Sequence, residues 1–231
     1  MIDIPAHLAS VREEIKAAAV RAGRDPATVR LVAVSKTHPA EAVAAAANAG
    51  QRVFGESRVQ EARDKITGCP AGLDWHFIGH LQKNKVRQAL PLFGFFHSID
   101  STALADAMNR IAGETGSTVD GLLEVNVSGE ATKYGFTPEQ LRAELPALLK
   151  LPHLRLRGLM TMAPYSDNPE DARPVFRALR ALRDEMQNAH GHPLPELSMG
   201  MSGDFVPAIE EGATLVRIGS SIFGARPYPP A

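Results

Sequence analysis

A lysine follows an apolar run near the amino terminus of this chain of 231 residues. The run at positions 31–36, LVAVSK, has the composition of a buried parallel strand and ends at Lys36. At such a boundary between core and cleft, desolvation favours the neutral amine, which is a nucleophile that forms Schiff bases with aldehydes. The alternative is a lysine whose side chain extends into solvent, and position alone favours that alternative.

Small and hydroxyl-bearing residues occur in two later segments, MSGD at 201–204 and RIGSS at 217–221. Small residues let backbone N–H groups approach an anion closely, and a hydroxyl beside a helix start adds a further donor. If the segments end neighbouring parallel strands, Ser202, Gly219 and Ser220 form a phosphate site. The alternative is that the glycines only turn the chain and the serines cap helices.

Arg217 lies within the second of these segments. Strand alternation places it on the same face as Leu215 and Gly219, one step deeper than the glycine. A buried charge is costly unless it is paired or bound to a ligand. Arg217 therefore either pairs with a carboxylate, such as Glu124 or Glu56, or donates to a ligand acceptor.

These groups together fit one kind of ligand. A nucleophilic lysine, a phosphate site and a buried arginine suit an aldehyde that carries a phosphate and a ring nitrogen. Pyridoxal 5′-phosphate has these parts, so it is the predicted cofactor, and no metal site is predicted.

The elements that must position these residues alternate regularly along the chain. Helical patterns separate eight strand-like runs, which span residues 31–36, 52–56, 74–79, 95–100, 121–127, 154–162, 194–201 and 214–222. This alternation predicts an α/β protein with a (β/α)8 TIM-type barrel, whose active site lies at the carboxyl ends of the strands. A doubly wound sheet shows the same alternation, but a glycine-rich turn after the first strand is lacking.

Helix signals accompany the strands. An extra amino-terminal helix, with Leu8, Val11, Ile15 and Ala18 as its buried face, would pack on the outside of the barrel or cover one end. Helix starts are predicted at Pro39, at Ser57 with Gln60, at Thr137 with Gln140, and at Asn168. The helix after Asn168 has a buried stripe made of Ala172, Val175, Phe176, Leu179, Leu182 and Met186.

Composition sets the remaining bounds. The chain is 44% hydrophobic with a formal net charge of −1, which indicates neither nucleic acid nor a membrane as partner. A single cysteine, Cys69, excludes an internal disulfide and favours a reducing compartment. No signal peptide is evident at the amino terminus. We expect residues 1–231 to form one cofactor-binding barrel domain, cytoplasmic and monomeric.

The sequence resembles a known family, the pyridoxal phosphate homeostasis proteins, whose fold is that of the alanine racemase N-terminal barrel. The similarity covers nearly the whole chain and is carried by LVAVSKTHP, FGESRVQEA, WHFIGHLQKNK, LLEVNVSGEATKYGF, RGLMTMAP, LSMGMSGDF and VRIGSSIFGAR. The resemblance implies that Lys36 carries pyridoxal phosphate as an internal aldimine. It also implies phosphate contacts from Ser202, Gly219 and Ser220, with Arg217 near the pyridine nitrogen.

Ser57 after the second strand and His80 after the third are weaker candidates for contacts with the cofactor. Ser57 stands where the family usually has asparagine, so a cofactor contact from this position is a weaker expectation than a helix cap. His80 follows the third strand and could reach the mouth of the barrel.

The sequence leaves three possible functions open. Arginine only donates hydrogen bonds, so Arg217 beside a pyridine nitrogen would favour the unprotonated ring, a poorer electron sink. This favours a protein that holds pyridoxal phosphate and releases it to apo-enzymes, without robust catalysis. A small racemase of the same fold is the main alternative, although racemases of this fold also use a second domain. A third possibility is an aldolase whose lysine attacks its substrate directly.

Overall fold

The computed structural model describes residues 2–130 and 133–224. Eight parallel strands pair in chain order, and the last pairs with the first to close a barrel. The strands are β1 (Arg30–Val34), β2 (Val53–Glu56), β3 (Asp74–Phe77), β4 (Phe95–Ile99), β5 (Val119–Glu124), β6 (Leu154–Met160), β7 (Glu196–Ser198) and β8 (Leu215–Ile218). The predicted (β/α)8 barrel is confirmed.

Helices surround the barrel. They are α1 (Ile4–Arg21), α2 (Ala40–Asn48), α3 (Val59–Ile66), α4 (Val86–Ala89), α5 (Thr102–Glu114), α6 (Pro138–Leu148), α7 (Arg173–His190), α8 (Phe205–Glu210) and α9 (Ser220–Phe223). Short 3-10 turns occupy Pro26–Thr28, Lys83–Lys85 and Pro169–Ala172. Within the described residues, no helix combines the length and the apolar content that crossing a bilayer would require.

Two apolar clusters follow from the alternation of side chains along the strands. Outward residues such as Phe54, Phe96 and Val216 pack against the helices in one large core. Inward residues form a small separate cluster inside the barrel, made of Val32, Leu122, Met160 and Leu215. Because this cluster fills part of the interior, polar chemistry is left to the inward positions nearer the carboxyl ends of the strands.

The amino-terminal helix packs on the outside of the barrel, which decides between the two expected placements. It lies against α2, α8 and α9. Its buried face consists of Leu8, Val11, Ile15, Ala18 and Ala19, as the apolar spacing predicts. His7 Nδ1 lies 3.3 Å from the carbonyl oxygen of Ile222, which ties α1 to α9.

Helix boundaries agree with the sequence at some positions and differ at others. Thr137 and Gln140 form the predicted capping box at the start of α6. Asn168 caps a 3-10 turn, and α7 begins only at Arg173. The predicted cap at Ser57 is wrong, because α3 has Arg58 at its N-cap position and no side-chain cap.

The eighth strand is shorter than its apolar run suggests. β8 ends at Ile218, and residues 220–222, which the pattern assigns to the strand, belong to α9. The chain turns at Gly219, where a Cβ atom would lie 3.2 Å from the carbonyl oxygen of Val34. The small residue therefore lets the end of β8 approach β1 closely.

Candidate functional site

A cavity of about 420 Å³ opens at the carboxyl ends of the strands. Its lining includes the main residues predicted from the sequence, namely Lys36, Ser202, Arg217, Gly219 and Ser220. They come from the ends of β1, β7 and β8, which are neighbours in the closed barrel. Closure of the barrel thus brings together residues that are far apart in the chain.

Lys36 is partly buried in a turn just after β1. Val34 and Lys36 line the cavity, whereas Ser35 between them is fully buried on the opposite side of the barrel wall. Thr37 follows with a φ of 68°, in the left-handed region that a β-branched residue rarely adopts. The backbone at Lys36 is therefore held in an unusual turn that directs its side chain toward the cavity.

The segments after β7 and β8 converge on one hydroxyl. The backbone N–H groups of Gly219 and Ser221 donate to Ser202 Oγ at 3.3 and 3.4 Å. The N–H of Met201 donates to Asp204 Oδ1 at 2.6 Å and fixes the loop before α8. A hydroxyl and two backbone donors that point at one place are a donor set suited to phosphate oxygens.

Arg217 is almost fully buried inside the barrel. Its guanidinium donates to Ser198 Oγ and, at 3.0 Å, to the carbonyl oxygen of Thr161. Burial lowers the pKa of Arg217 to about 10, and the charges of Glu124 and Asp204 oppose this shift. Two of its nitrogens thus donate to neutral acceptors. The residue also lines the cavity.

The two carboxylates considered as partners of Arg217 lie in different surroundings. Glu56 lies outside the barrel wall, where its Oε1 is 2.8 Å from Lys65 Nζ. Glu124 acts on Arg217 through the electrostatic field. Within the described residues neither carboxylate forms a salt bridge with Arg217. Its interior position is therefore not explained by a simple ion pair.

A buried hydrogen-bonded series continues from Arg217 across the barrel, and we call His76, His97, Ser198 and Arg217 the inner chain. Ser198 Oγ lies 2.7 Å from His97 Nδ1, and His97 Nε2 lies 2.9 Å from His76 Nδ1. Burial lowers the pKa of His76 to about 4 and that of His97 well below its usual value. Both imidazoles are therefore neutral near pH 7, and Arg217 supplies the charge of the inner chain.

Glu124 faces the same interior. Burial and the nearby charge of Asp100 raise its pKa to about 7, while Arg217 and His80 oppose this shift. Asp100 in turn lies 2.7 Å from His80 Nδ1. A carboxyl group that changes charge near neutral pH thus adjoins the buried guanidinium.

Ser57 and His80 lie apart from the main cavity. They line a neighbouring cavity of about 260 Å³ beside the start of α3. The ring of Tyr134 stacks on His80, with 4.1 Å between ring centroids. Contacts from Ser57 or His80 to a cofactor stay predictions.

Sequence reasoning missed two features of the site. The loop after β6 contributes an apolar wall that includes Met162 and Pro164, for which the only signal is the segment RGLMTMAP. The inner chain was also missed, although alternation along β4 places His97 on the same face as Phe95, toward the interior.

Comparison with known proteins identifies the family. The model of the alanine racemase N-terminal domain matches residues 6–227. The pyridoxal phosphate homeostasis protein of Aquifex aeolicus is 48% identical over 222 residues, which cover 96% of this chain and 97% of that protein. The protein of the same name from Escherichia coli K12 is 43% identical, with 99% of each chain covered.

Solved structures agree with these relatives. PipY of Synechococcus elongatus, with pyridoxal phosphate bound, superposes with a TM-score of 0.84 and 42% identity, covering 96% of this chain and all of that one (100%). An alanine racemase from Clostridium difficile has a TM-score of 0.76, but it is only 17% identical and is covered over 57% of its length, so it shows the fold alone. The chain therefore belongs to the pyridoxal phosphate homeostasis protein family, which has the alanine racemase N-terminal domain.

Proposed function

We propose that this protein binds pyridoxal 5′-phosphate reversibly and serves its homeostasis in the cell. The observation that carries the proposal is the gathering of Lys36, Ser202, Arg217, Gly219 and Ser220 around one cavity. There Ser202 Oγ also accepts from two backbone N–H groups. The family relatives named for this cofactor support it. The residues present fit the group, since an amine, anion donors and a guanidinium match its aldehyde, phosphate and ring nitrogen.

Each residue has a distinct role in this proposal. Lys36 would hold the cofactor covalently, since its Nζ amine would condense with the aldehyde that the cofactor supplies, with C=N replacing C=O and loss of one water. Ser202, Gly219 and Ser220 hold the phosphate. Arg217 would lie beside the ring nitrogen and favour its unprotonated form, because a guanidinium donates hydrogen bonds and accepts none. Such a site favours holding the cofactor over turnover of amino acids.

Reduction with borohydride tests the covalent bond. After loading with pyridoxal phosphate and reduction, intact mass should rise by one reduced cofactor, and peptide mapping should place it on Lys36. Lys36→Ala should show no such gain, whereas Lys16→Ala, which removes an exposed lysine of α1, should behave as the unaltered protein. A modified peptide that lacks Lys36 would overturn the assignment.

Release to apo-enzymes, a cytoplasmic location and a monomeric state complete the proposal. The loaded protein should restore activity to a pyridoxal-phosphate-dependent apo-enzyme faster than the reduced, irreversibly loaded protein does. Exchange of amino-acid α-protons by the loaded protein at enzymatic rates would instead favour the racemase alternative. Sedimentation equilibrium would test the monomer.

A further inference from the structure

A largely buried group of side chains binds the backbone on both sides of Lys36. Lys65 Nζ, from α3, donates to the carbonyl oxygen of Ser35 at 2.8 Å, in the peptide before Lys36. In the peptide after Lys36, the N–H of Thr37 donates to Glu61 Oε1 at 2.5 Å. Lys65 Nζ also donates to that same Glu61 oxygen at 2.9 Å. Both peptide groups that flank the Cα of Lys36 are thus held through Lys65.

Glu56 completes this group, and we call Ser35, Glu56, Glu61 and Lys65 the outer cluster. Glu56 is fully buried, and its Oε1 accepts from Lys65 Nζ at 2.8 Å and from Ser35 Oγ at 2.7 Å. Lys65 therefore has an acceptor for each of its three N–H bonds, and only 7% of its side chain is exposed. The outer cluster lies behind the barrel wall, on the side opposite the cavity that Lys36 lines.

The turn at Lys36 needs such support. Thr37 has a φ of 68°, and a non-glycine residue in this region costs about 1–3 kcal/mol unless its surroundings hold it there. The Glu61 carboxylate stabilises this conformation directly, since it accepts from the Thr37 N–H. Without the outer cluster, the backbone at Lys36 would have more freedom, and the direction of its side chain would be less well defined.

Lys65 partly offsets the cost of burying Glu56. Burial raises the pKa of Glu56, and the hydrogen bond and charge of Lys65 oppose this shift. The second oxygen, Glu56 Oε2, is buried and has no hydrogen-bond partner among the described residues. Lys65, together with the Ser35 hydroxyl, therefore compensates this buried carboxylate, which does not line the cavity.

We propose that Lys65 is a positioning residue, which acts with Glu56 and Glu61 to fix the backbone at Lys36 so that Nζ meets the aldehyde of the cofactor. The inference rests on the proposed function, in which Lys36 forms the covalent bond. Small errors in the placement of a reacting group are expensive, because a displacement of about 1 Å costs on the order of a hundredfold in rate.

The test compares two ligands that share a phosphate and a pyridine ring. Pyridoxal 5′-phosphate carries an aldehyde, whereas pyridoxine 5′-phosphate carries an alcohol that cannot condense with an amine. The ratio of their dissociation constants isolates the contribution of Lys36 from that of the phosphate site. Two variants break the outer cluster, Lys65→Met and Glu61→Ala. Glu61→Gln keeps an acceptor oxygen for the Thr37 N–H, and Arg63→Ala removes an exposed cation from the same helix.

We expect the preference for the aldehyde to fall at least about tenfold in Lys65→Met and Glu61→Ala, with little change in the affinity for the alcohol. Glu61→Gln should lose less than Glu61→Ala, and Arg63→Ala should match the unaltered protein. In the ligand-free protein, exchange of the Thr37 amide hydrogen should accelerate in Glu61→Ala. If Lys65→Met does not fold, the comparison of Glu61→Ala with Glu61→Gln tests the positioning role in its place.

Failure of this inference is distinguishable from failure of the proposed function. An unaltered protein with no preference for the aldehyde would contradict the role of Lys36 itself. A clear preference that persists in Lys65→Met and Glu61→Ala would overturn the positioning role alone. An equal loss of affinity for both ligands would also overturn it, since that result indicates a general structural effect.

Discussion

Two buried polar groups support the cavity from different sides, and they are built differently. The outer cluster behind β1 and β2 joins one ammonium group to two carboxylates. The inner chain crosses the barrel from Arg217 through the Ser198 hydroxyl to two neutral imidazoles. One group compensates charge with charge, and the other anchors a single charge on neutral acceptors.

This difference in how charge is compensated determines which changes each group can undergo without loss of stability. Removal of one partner from a buried set of charges leaves the others uncompensated, which is strongly destabilising. Beside the inner chain, the carboxyl group of Glu124 changes charge near neutral pH, because burial raises its pKa to about 7. The outer cluster should therefore be sensitive to substitution, and the interior around the inner chain should be sensitive to pH.

The largest expected effect is that of Lys65→Met on stability. The substitution leaves Glu56 and Glu61 beside each other without their cation, so the free energy of unfolding should fall by about 3–5 kcal/mol. Urea denaturation of the ligand-free protein measures it. A loss below about 1 kcal/mol would show that water or local movement compensates these carboxylates.

The sequence predicts Arg217 and the small residues after β7 and β8, but it does not predict the outer cluster. Alternation along β8 sets Arg217 on the face of Leu215 and Gly219, and this local pattern alone predicts its position inside the barrel. The sequence likewise predicts that the small residues after β7 and β8 converge, and the contacts of Gly219 and Ser221 with Ser202 show that they do.

The outer cluster could not be predicted in this way. Lys65 lies on a short helix rich in charged residues, where a lysine is usually solvated. Its partners on β1 and β2 become apparent only when α3 is packed against the barrel. The cap expected at Ser57 failed for a related reason, because the path from β2 to α3 shifts the helix start past the residue with the favoured side chain.

The second effect concerns Glu124, whose raised pKa works against stability as pH increases. Between pH 4.5 and about 7 the native protein keeps a proton on Glu124 that the unfolded chain has lost, so the free energy of unfolding falls as pH rises. Glu124→Gln removes this dependence. Relative to the unaltered protein, the variant should gain up to about 3 kcal/mol between pH 4.5 and pH 7.5.

Paired urea titrations at several pH values measure this difference. His76 contributes with the opposite sign, because its pKa of about 4 makes the native protein lose stability as pH falls from 6.5 to 4. That contribution is present in both proteins and cancels in the comparison. A constant difference between the two proteins across this range would contradict the assignment of Glu124.

A smaller effect links Glu124 to the inner chain. The charge of Arg217 lowers the pKa of Glu124, so Arg217→Met should raise that pKa further above 7. Carbon NMR of the Glu124 carboxyl group in labelled protein measures the titration directly. An unchanged midpoint would mean that Asp100 and burial alone set the pKa, and that the guanidinium is too well screened to matter.

The smallest effect should come from an ion pair with excellent geometry and no burial. Arg142 Nε and Nη2 lie 2.7 and 2.9 Å from the two carboxylate oxygens of Glu185, on the exposed faces of α6 and α7. Water already solvates both groups and salt screens them, so Arg142→Ala should change the urea midpoint far less than Lys65→Met. The small change should shrink further in high salt. An effect as large as that of Lys65→Met would contradict the view that burial, and not contact distance, makes the outer cluster important.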